Sequence, residues 1–273
     1  MDSMKYFIPL LAATFLFISC NNHGNDRSTA VSTDSLAIET EMKSAIAAYP
    51  DSMLLKEKLI QYYRDNGEYE LALAFTSNSL KTDSNNARLW EAKATLHFDD
   101  YDTANSILSL EKAVALIPDP QDLLHLGTLY AETKDPKALK VANVLFTIKN
   151  GARAKDAYFI KGLYYNYTGD KAKATSNEDS CLAIDYTYAM AYREKAIALY
   201  DLGKYEAALA VLAKALTVQN NYDEGYYWRG RCLEKLNKKD EAIEAYRTAI
   251  LYNADYVEAQ QALDALGQGV IKN

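Results

Sequence analysis

The pattern of hydrophobic and polar positions along the chain repeats at a fixed interval. A mostly small residue recurs every 33 to 35 residues, at Ile60, Ala94, Gly127, Gly162, Ala196 and Gly230. A second column keeps the same register at Ala72, Ser106, Leu139, Ala174, Ala208 and Ala242. A third follows seven residues later at Ser79, Ala113, Phe146, Cys181, Ala215 and Ala249. Three columns in one register predict a repeat protein made of stacked supersecondary units.

Each period predicts a pair of antiparallel helices joined by a tight turn. Turn signals occur at Gly67, Gly169 and Gly203, because glycine accepts the left-handed conformation that ends a helix. Small residues then let the two helices approach closely. The pattern predicts six hairpins at 53–86, 87–119, 120–154, 155–188, 189–222 and 223–256. The third hairpin departs most, since Leu139 and Phe146 replace small residues and Pro136 supplies the turn.

Shorter helical patterns flank the predicted array. Residues 35–52 predict a lone N-terminal helix that shares one apolar face among Ile38, Met42, Ala45 and Ile46. Residues 257–273 predict a capping helix and tail, with polar residues on the open side at Gln260, Gln261 and Asp264. Terminal helices of this kind cover apolar faces that a stack of repeats would otherwise expose.

These columns resemble the tetratricopeptide repeat. An aromatic residue stands early in the first helix at Trp90, Tyr192 and Tyr226, and a tyrosine stands late in it at Tyr63, Tyr130 and Tyr165. The resemblance covers nearly all of residues 53–266. It implies an all-α, right-handed superhelical solenoid whose inner wall is built from the first helices. It also implies a protein-binding scaffold rather than an enzyme.

The composition agrees with an all-helical protein and narrows the range of partners. Only 11 Gly and 5 Pro occur among 273 residues, fewer than strands and tight turns would require. A formal net charge of −7 argues against nucleic acid, because phosphate binding needs a basic surface. The 22 tyrosines suit both hairpin packing and wet binding surfaces, since each joins an apolar ring to a polar tip.

The N-terminus predicts a bacterial lipoprotein signal peptide over residues 1–19. Lys5 precedes an apolar run over residues 6–18, which is shorter than the roughly 20 residues that span a bilayer but fits a secretory signal. The end of this run resembles a lipobox with lipidation at Cys20, although Phe17 is bulkier than the usual aliphatic residue there. A plain signal peptide with an incidental cysteine, or a buried helix, is the alternative. Translation begins at either Met1 or Met4.

Residues 20–34 are polar and lack an apolar period, which predicts a flexible tether. With Cys20 lipidated, the protein would be anchored in the bacterial cell envelope, at a periplasmic or outer-membrane face. An oxidising compartment permits a disulfide between Cys181 and Cys232. Each of these cysteines falls at a packing position of a different repeat, however, and this favours two buried thiols.

The sequence contains no recognisable catalytic or metal-binding motif. Its three histidines, His23, His97 and His125, are scattered, and no zinc-ligand spacing, phosphate loop or nucleophile elbow occurs. We therefore predict a non-catalytic protein without a cofactor or metal. A carrier or enzyme with an unrecognised small-molecule pocket is the alternative.

Helical spacing predicts which side chains face a partner. If the small residue of each first helix is numbered 8, positions 2, 5, 9 and 12 lie away from the second helix. The candidate binding residues on this face are Phe159, Asn166, Arg193, Tyr200, Tyr227 and Arg231, of which the aromatic and arginine types are common in binding hot spots. Phe159, Leu163 and Ile197 could instead pack between neighbouring first helices, and the sequence leaves both interpretations open.

Some proteins with this repeat bind acidic C-terminal peptides through a clamp that includes lysine. That resemblance fails here, because Glu57 and Glu91 stand at the corresponding positions. The sequence predicts a scaffold or adaptor of the bacterial cell envelope that binds a peptide or helix of a protein partner in its concave groove. The alternative is a structural module that oligomerises through its terminal helices.

Overall fold

The computed structural model describes residues 27–267, with side-chain environments from residue 36 onward. The chain divides into two compact units, residues 1–59 and 60–273. Within the described range every regular element is a helix. No helix between residues 27 and 267 is long and apolar enough to cross a membrane. The predicted signal peptide, Met1, Met4 and Cys20 lie outside the described residues.

The first unit contains α1 (Arg27–Ala48) and the beginning of α2 (Met53–Asp65). Residues 27–34 are helical here, whereas the sequence predicted them as part of a flexible tether. The physical reason is that neither Gly nor Pro occurs between Asn25 and Tyr49, so nothing breaks the helix upstream of residue 35. Residues 36–58 bury no side chain, and Leu36 is 63% exposed.

The second unit is a stack of helical hairpins. Its helices beyond α2 are α3 (Tyr69–Thr82), α4 (Ala87–Asp99), α5 (Thr103–Leu116), α6 (Pro120–Glu132), α7 (Lys137–Thr147), α8 (Ala154–Thr168), α9 (Lys171–Ile184), α10 (Ala189–Asp201), α11 (Tyr205–Val218), α12 (Asp223–Lys235), α13 (Lys239–Tyr252) and α14 (Val257–Ala265). From α4 to α13 the helices pack as consecutive pairs, and each pair packs on the next. The predicted all-α solenoid is therefore confirmed.

Turn chemistry explains where the first helices end. One of the two residues after each of them adopts a left-handed conformation, at Gly67, Tyr101, Lys134, Gly169, Gly203 and Asn237. Three of these residues are the glycines at which the sequence predicted turns, and glycine adopts this conformation without a steric cost. Side-chain caps start several of the following helices. Asp102, for example, accepts a hydrogen bond from the Asn105 amide at 3.1 Å.

Close contact between paired helices depends on the small-residue column. A Cβ added at Gly230 would lie 2.5 Å from the Tyr246 ring, and one added at Gly162 would overlap the Glu178 carboxyl. The α8–α9 and α12–α13 pairs therefore meet where the first helix has no side chain, and the α4–α5 and α10–α11 pairs have the small Ala94 and Ala196 at the same position.

The third hairpin differs from its predicted register. The sequence placed Leu139 and Phe146 in the second and third columns of the repeat. Both are only half-buried, whereas the preceding residues Ala138 and Leu145 are fully buried. The column is thus displaced by one residue. The buried residues come one position earlier in the chain than the period predicts, and the left-handed residues Lys149 and Asn150 follow α7 before the next hairpin begins.

The two remaining cysteines are buried free thiols, as the sequence favoured. Cys181 belongs to the core that contains α6 to α9, and Cys232 belongs to the core around α12 and α13. Burial raises the pKa of both thiols, to about 12 for Cys232, so both stay protonated at neutral pH.

Candidate functional site: the A-helix face

The first helices of the hairpins, α4, α6, α8, α10 and α12, form one side of the second unit, which we call the A-helix face. Along it α6 packs on α8, α8 on α10, and α10 on α12. All six candidate binding residues lie on these helices, but four are buried. Their exposed fractions are 2% for Phe159, 6% for Asn166, 4% for Arg193 and 3% for Tyr227. Tyr200 and Arg231 are half-buried.

Residues at position 5 contact the next repeat instead of an open groove. Phe159 packs edge-on against Tyr188, with ring centroids 5.1 Å apart. Tyr227 lies 5.0 Å from the Tyr256 ring. Arg193 forms an ion pair with Glu224 at 2.5 Å. In α8, α10 and α12, position 5 therefore joins one repeat to the following one, whereas Glu91 at position 5 of α4 is exposed. The packing interpretation of Phe159 is the one the structure adopts.

Arg193 is the centre of a buried polar network between α10 and α12. Its Nε donates to Glu194 at 2.9 Å, and its Nη1 donates to Glu224. The Tyr222 hydroxyl also donates to Glu224, at 2.9 Å. Burial opposes the charge of the guanidinium, but Glu224, Tyr222 and Glu194 outweigh it and hold the Arg193 pKa above its ordinary value. Removing one partner of such a buried ion pair leaves an uncompensated charge and strongly destabilises the protein.

Asn166 extends this network to α8. Its amide nitrogen donates to the Glu194 carboxylate at 3.1 Å, and its amide oxygen accepts from Lys171 at 2.6 Å. Lys171 also pairs with Asp201 at 2.6 Å. Both polar atoms of the Asn166 side chain are thus hydrogen-bonded inside the protein, and the bond to Glu194 joins α8 to α10.

Arg231 occupies an aromatic cluster between α10 and α12. Its Nη1 donates to the Tyr227 hydroxyl at 2.8 Å and its Nη2 to the Tyr200 hydroxyl at 3.4 Å. The guanidinium also lies 5.6 to 5.7 Å from the ring centroids of Tyr200, Tyr227 and Trp228. Tyr200 and Arg231 are the candidate residues that keep solvent-accessible surface.

Two carboxyl groups on α6 have electrostatic environments that the sequence did not reveal. Asp122 is 8% exposed, and its pKa is raised to about 6 by burial and by the nearby Glu91 and Asp119. Burial, reinforced by Glu194 and opposed by Arg193, raises the pKa of Glu132 to about 7. The sequence of α6 alone gives no sign of the Asp122 shift, because Glu91 belongs to the preceding repeat and comes near Asp122 only when the repeats stack.

Glu178 on α9 is a buried carboxyl without a hydrogen-bond partner at either oxygen. It lies against Gly162, at the position that Leu212 fills in α11 and Tyr246 fills in α13. Burial raises its pKa well above the ordinary value, with Glu194 adding to the shift and Arg193 opposing it. This environment favours the neutral form of the Glu178 carboxyl over the carboxylate.

The described residues hold no cluster of three or more His, Cys, Asp or Glu side chains arranged for a metal. Burial lowers the pKa of His97 and of His125, so both imidazoles are neutral at pH 7.

Comparison with known proteins agrees with this architecture. Residues 193–256 match the profile of the tetratricopeptide repeat family. The fold is similar to that of a tetratricopeptide repeat protein from Parabacteroides merdae, with 17% identity, a TM-score of 0.72, and coverage of 87% of this chain and 94% of that one. It is also similar to PilW, a type IV pilus biogenesis factor, with 18% identity, a TM-score of 0.60, and coverage of 77% and 96%.

A thermophilic tetratricopeptide repeat protein from Thermus thermophilus is a third structural neighbour. It has 16% identity and a TM-score of 0.58, with coverage of 66% of this chain and 98% of that one. No curated protein sequence matches the chain significantly. At these identities the structural neighbours establish the fold, which is that of a tetratricopeptide repeat solenoid.

Proposed function

We propose that this protein is a non-catalytic scaffold of the bacterial cell envelope that binds a peptide or helix of a partner protein on its A-helix face. A solenoid fold of this kind typically supports protein–protein interaction. The observation that carries the proposal is a row of accessible side chains at position 9, one from each of four first helices. They are Thr95, Thr128, Ile197 and Arg231, and all are half-buried, so each keeps some solvent-accessible surface.

This row gives the face a surface on which a partner can bind without disturbing the core. Leu163, at position 9 of α8, is buried and interrupts the row, while Tyr200 adds a half-exposed ring beside Arg231. Aromatic and arginine side chains of this kind are frequent anchors in binding interfaces. The buried residues at position 5 hold the first helices in place and so support the surface from below.

The binding surface can be tested by adding bulk and charge to the row. We expect Thr95→Arg/Thr128→Arg to lose a partner that the unchanged protein recovers from solubilised envelope. The matched control is Ala210→Arg/Ala213→Arg, which adds the same charge at exposed positions of α11. Recovery of the same partners in equal amounts by both variants would remove the A-helix face as the binding surface.

The envelope location rests on the lipobox-like sequence before Cys20. We expect Cys20→Ser to move the protein from the membrane fraction to the soluble fraction, because a lipid anchor requires the thiol. Undiminished membrane association of this variant would contradict lipidation at Cys20.

A second candidate function is self-assembly through the terminal helices. The supporting observation is α1, which exposes Leu36 and Ile38 by 63% and 45%. Light scattering of the chain from Asn21 onward separates the two candidates. A monomer at micromolar concentration would exclude self-assembly, whereas a stable oligomer that Ile38→Ser dissociates would support it.

A further inference from the structure

We infer that the exposed side of the second and third hairpins docks on an anionic phospholipid surface. The contact surface, which we call the basic–apolar patch, lies on α4, α5 and α7. It consists of Trp90, Lys93, Leu108, Lys112, Lys140 and Val144. The inference goes beyond the proposed function, because a lipid anchor holds a chain near a membrane without fixing its orientation.

A groove of about 400 Å³ between α4 and α5 forms the first part of the patch. Trp90 and Leu108 give it apolar walls, and two ammonium groups reach it from Lys93 and Lys112. The Lys93 ammonium lies 5.6 Å from the centroid of the Trp90 ring. The indole N–H donates to the Ser84 carbonyl at 2.9 Å, which holds the ring in place. An aromatic ring with a polar tip beside lysines suits the interface between headgroups and acyl chains.

An ion pair between α5 and α7 extends the patch to the third hairpin. Lys137, at the start of α7, pairs with Glu111 of α5 at 2.7 Å. Lys112 follows Glu111 directly, and Lys140 lies one turn beyond Lys137, so an exposed lysine stands beside the pair on each helix. No acidic residue occurs within α7. The two helices therefore bring their lysines to neighbouring parts of one surface.

Exposed aliphatic side chains accompany these lysines at helical spacing. Leu108 precedes Lys112 by four residues and is 57% exposed, and Val144 follows Lys140 by four residues and is 45% exposed. Residues four apart lie on the same face of a helix. Each helix thus presents a lysine and an aliphatic side chain together. Lysine can extend its ammonium toward phosphate while the aliphatic groups enter the headgroup region.

The patch is positively charged although the whole chain has a formal net charge of −7. Its three lysines form no ion pair with any residue between 36 and 267. The acidic residues at its edge are already engaged, Glu111 with Lys137 and Asp102 as the cap of α5. An anionic bilayer complements this charge, since each basic residue close to such a surface strengthens binding about fivefold.

The same composition favours a membrane over an acidic protein as the occupant. Protein interfaces are depleted in lysine and place apolar side chains at their centre, with polar side chains around the rim. Here lysine and apolar side chains are mixed on α4, α5 and α7 alike. The patch also lies outside the A-helix face, so docking on a membrane leaves the proposed partner surface accessible.

Vesicle binding of the chain from Asn21 onward, which retains every described residue, tests the inference without a lipid anchor. We expect it to sediment with vesicles that contain phosphatidylglycerol but not with phosphatidylcholine alone, and to be released by salt. Lys112→Gln/Lys140→Gln should weaken binding at least tenfold. The control Lys214→Gln/Lys239→Gln removes the same charge at exposed positions of α11 and α13 and should change binding less than twofold.

Tryptophan fluorescence gives an independent measurement of the apolar contact. The chain has two tryptophans, and Trp228 is only 3% exposed, so a change on vesicle addition reports Trp90. We expect the emission to move to shorter wavelength and to be quenched by brominated acyl chains. Leu108→Ser should weaken vesicle binding at least threefold, because it removes apolar surface from the contact. The control Leu251→Ser alters a side chain that is 78% exposed on α13 and should leave binding unchanged.

Equal sedimentation with both kinds of vesicle, or equal weakening by the two lysine double variants, would overturn the inference. Failure to bind any vesicle would also overturn it, and an acidic protein would then be the better occupant. Free glycerol 3-phosphate should not displace the vesicles, and displacement would instead identify a site for soluble phosphates. If vesicle binding fails while the Thr95→Arg/Thr128→Arg variant still loses a partner, the inference is wrong and the proposed function stands.

Discussion

Replacing Glu178 with glutamine is expected to stabilise the protein at neutral pH. The Glu178 side chain is fully buried against Gly162, and neither carboxyl oxygen has a hydrogen-bond partner. Burial raises its pKa well above 4.5, with Glu194 adding to the shift and Arg193 opposing it. The folded chain therefore favours the protonated form of this group more than the unfolded chain does.

The size of the effect follows from this difference in protonation. A raised folded-state pKa gives stability that is complete below pH 4.5 and is lost as pH rises toward the folded-state pKa. Each pH unit in that interval costs about 1.4 kcal/mol, so the loss reaches about 3.5 kcal/mol at pH 7 if the folded-state pKa lies above 7. Glutamine has nearly the same shape and cannot ionise. Glu178→Gln should then raise the free energy of unfolding by up to about 3.5 kcal/mol at pH 7 and by little at pH 4.5.

Urea unfolding followed by circular dichroism at pH 4.5 and pH 7 measures both values. The control is Glu244→Gln, which removes an exposed carboxyl of α13 and should change stability by less than about 0.5 kcal/mol at either pH. A Glu178→Gln protein that is less stable than the original at pH 7, or that shows the same difference at both pH values, would refute the reasoning.

Three further predictions follow from the packing of the hairpins. Gly230→Ala should destabilise the protein by about 1 to 3 kcal/mol in urea unfolding, because the new Cβ would meet the Tyr246 ring at 2.5 Å; an unchanged midpoint would contradict this contact. Lys134→Gly should stabilise it by up to about 1 kcal/mol by thermal or urea unfolding, because Lys134 adopts a left-handed conformation with φ 61°; a loss of stability would disprove that strain. Cys181 and Cys232 should react with a thiol reagent only after unfolding, since both are buried; fast modification of the native protein would refute their burial.

The period along the sequence was sufficient to predict the fold. Small residues such as Gly162 and Gly230 must recur wherever two helices meet, so a repeat leaves a signal in every copy. The same reasoning located the left-handed turns at Gly67, Gly169 and Gly203. It failed in the third hairpin, where Ala138 rather than Leu139 is buried, because a one-residue shift in the turn leaves the overall period unchanged.

The binding residues were harder to predict, because their surroundings come from the neighbouring repeat. Arg193 at position 5 faces away from its own hairpin partner, as helical spacing requires, but it contacts Glu224 of the next hairpin. Likewise, the repulsion between the Glu91 and Asp122 carboxyl groups depends on how one repeat stacks on the next. The spacing of residues along a single helix predicts neither of these interactions, because both involve a residue of the neighbouring repeat. The identity of the partner also depends on a second molecule.

Site-specific crosslinking tests the central claim, that the partner binds the A-helix face, most directly. A photo-reactive amino acid would replace Thr128, which is half-exposed on α6, or Ala210, which is exposed on α11. The account predicts that position 128 crosslinks to a partner protein in the intact envelope and that position 210 does not. Crosslinks to the same protein from position 210 alone, or equally from both positions, would contradict it.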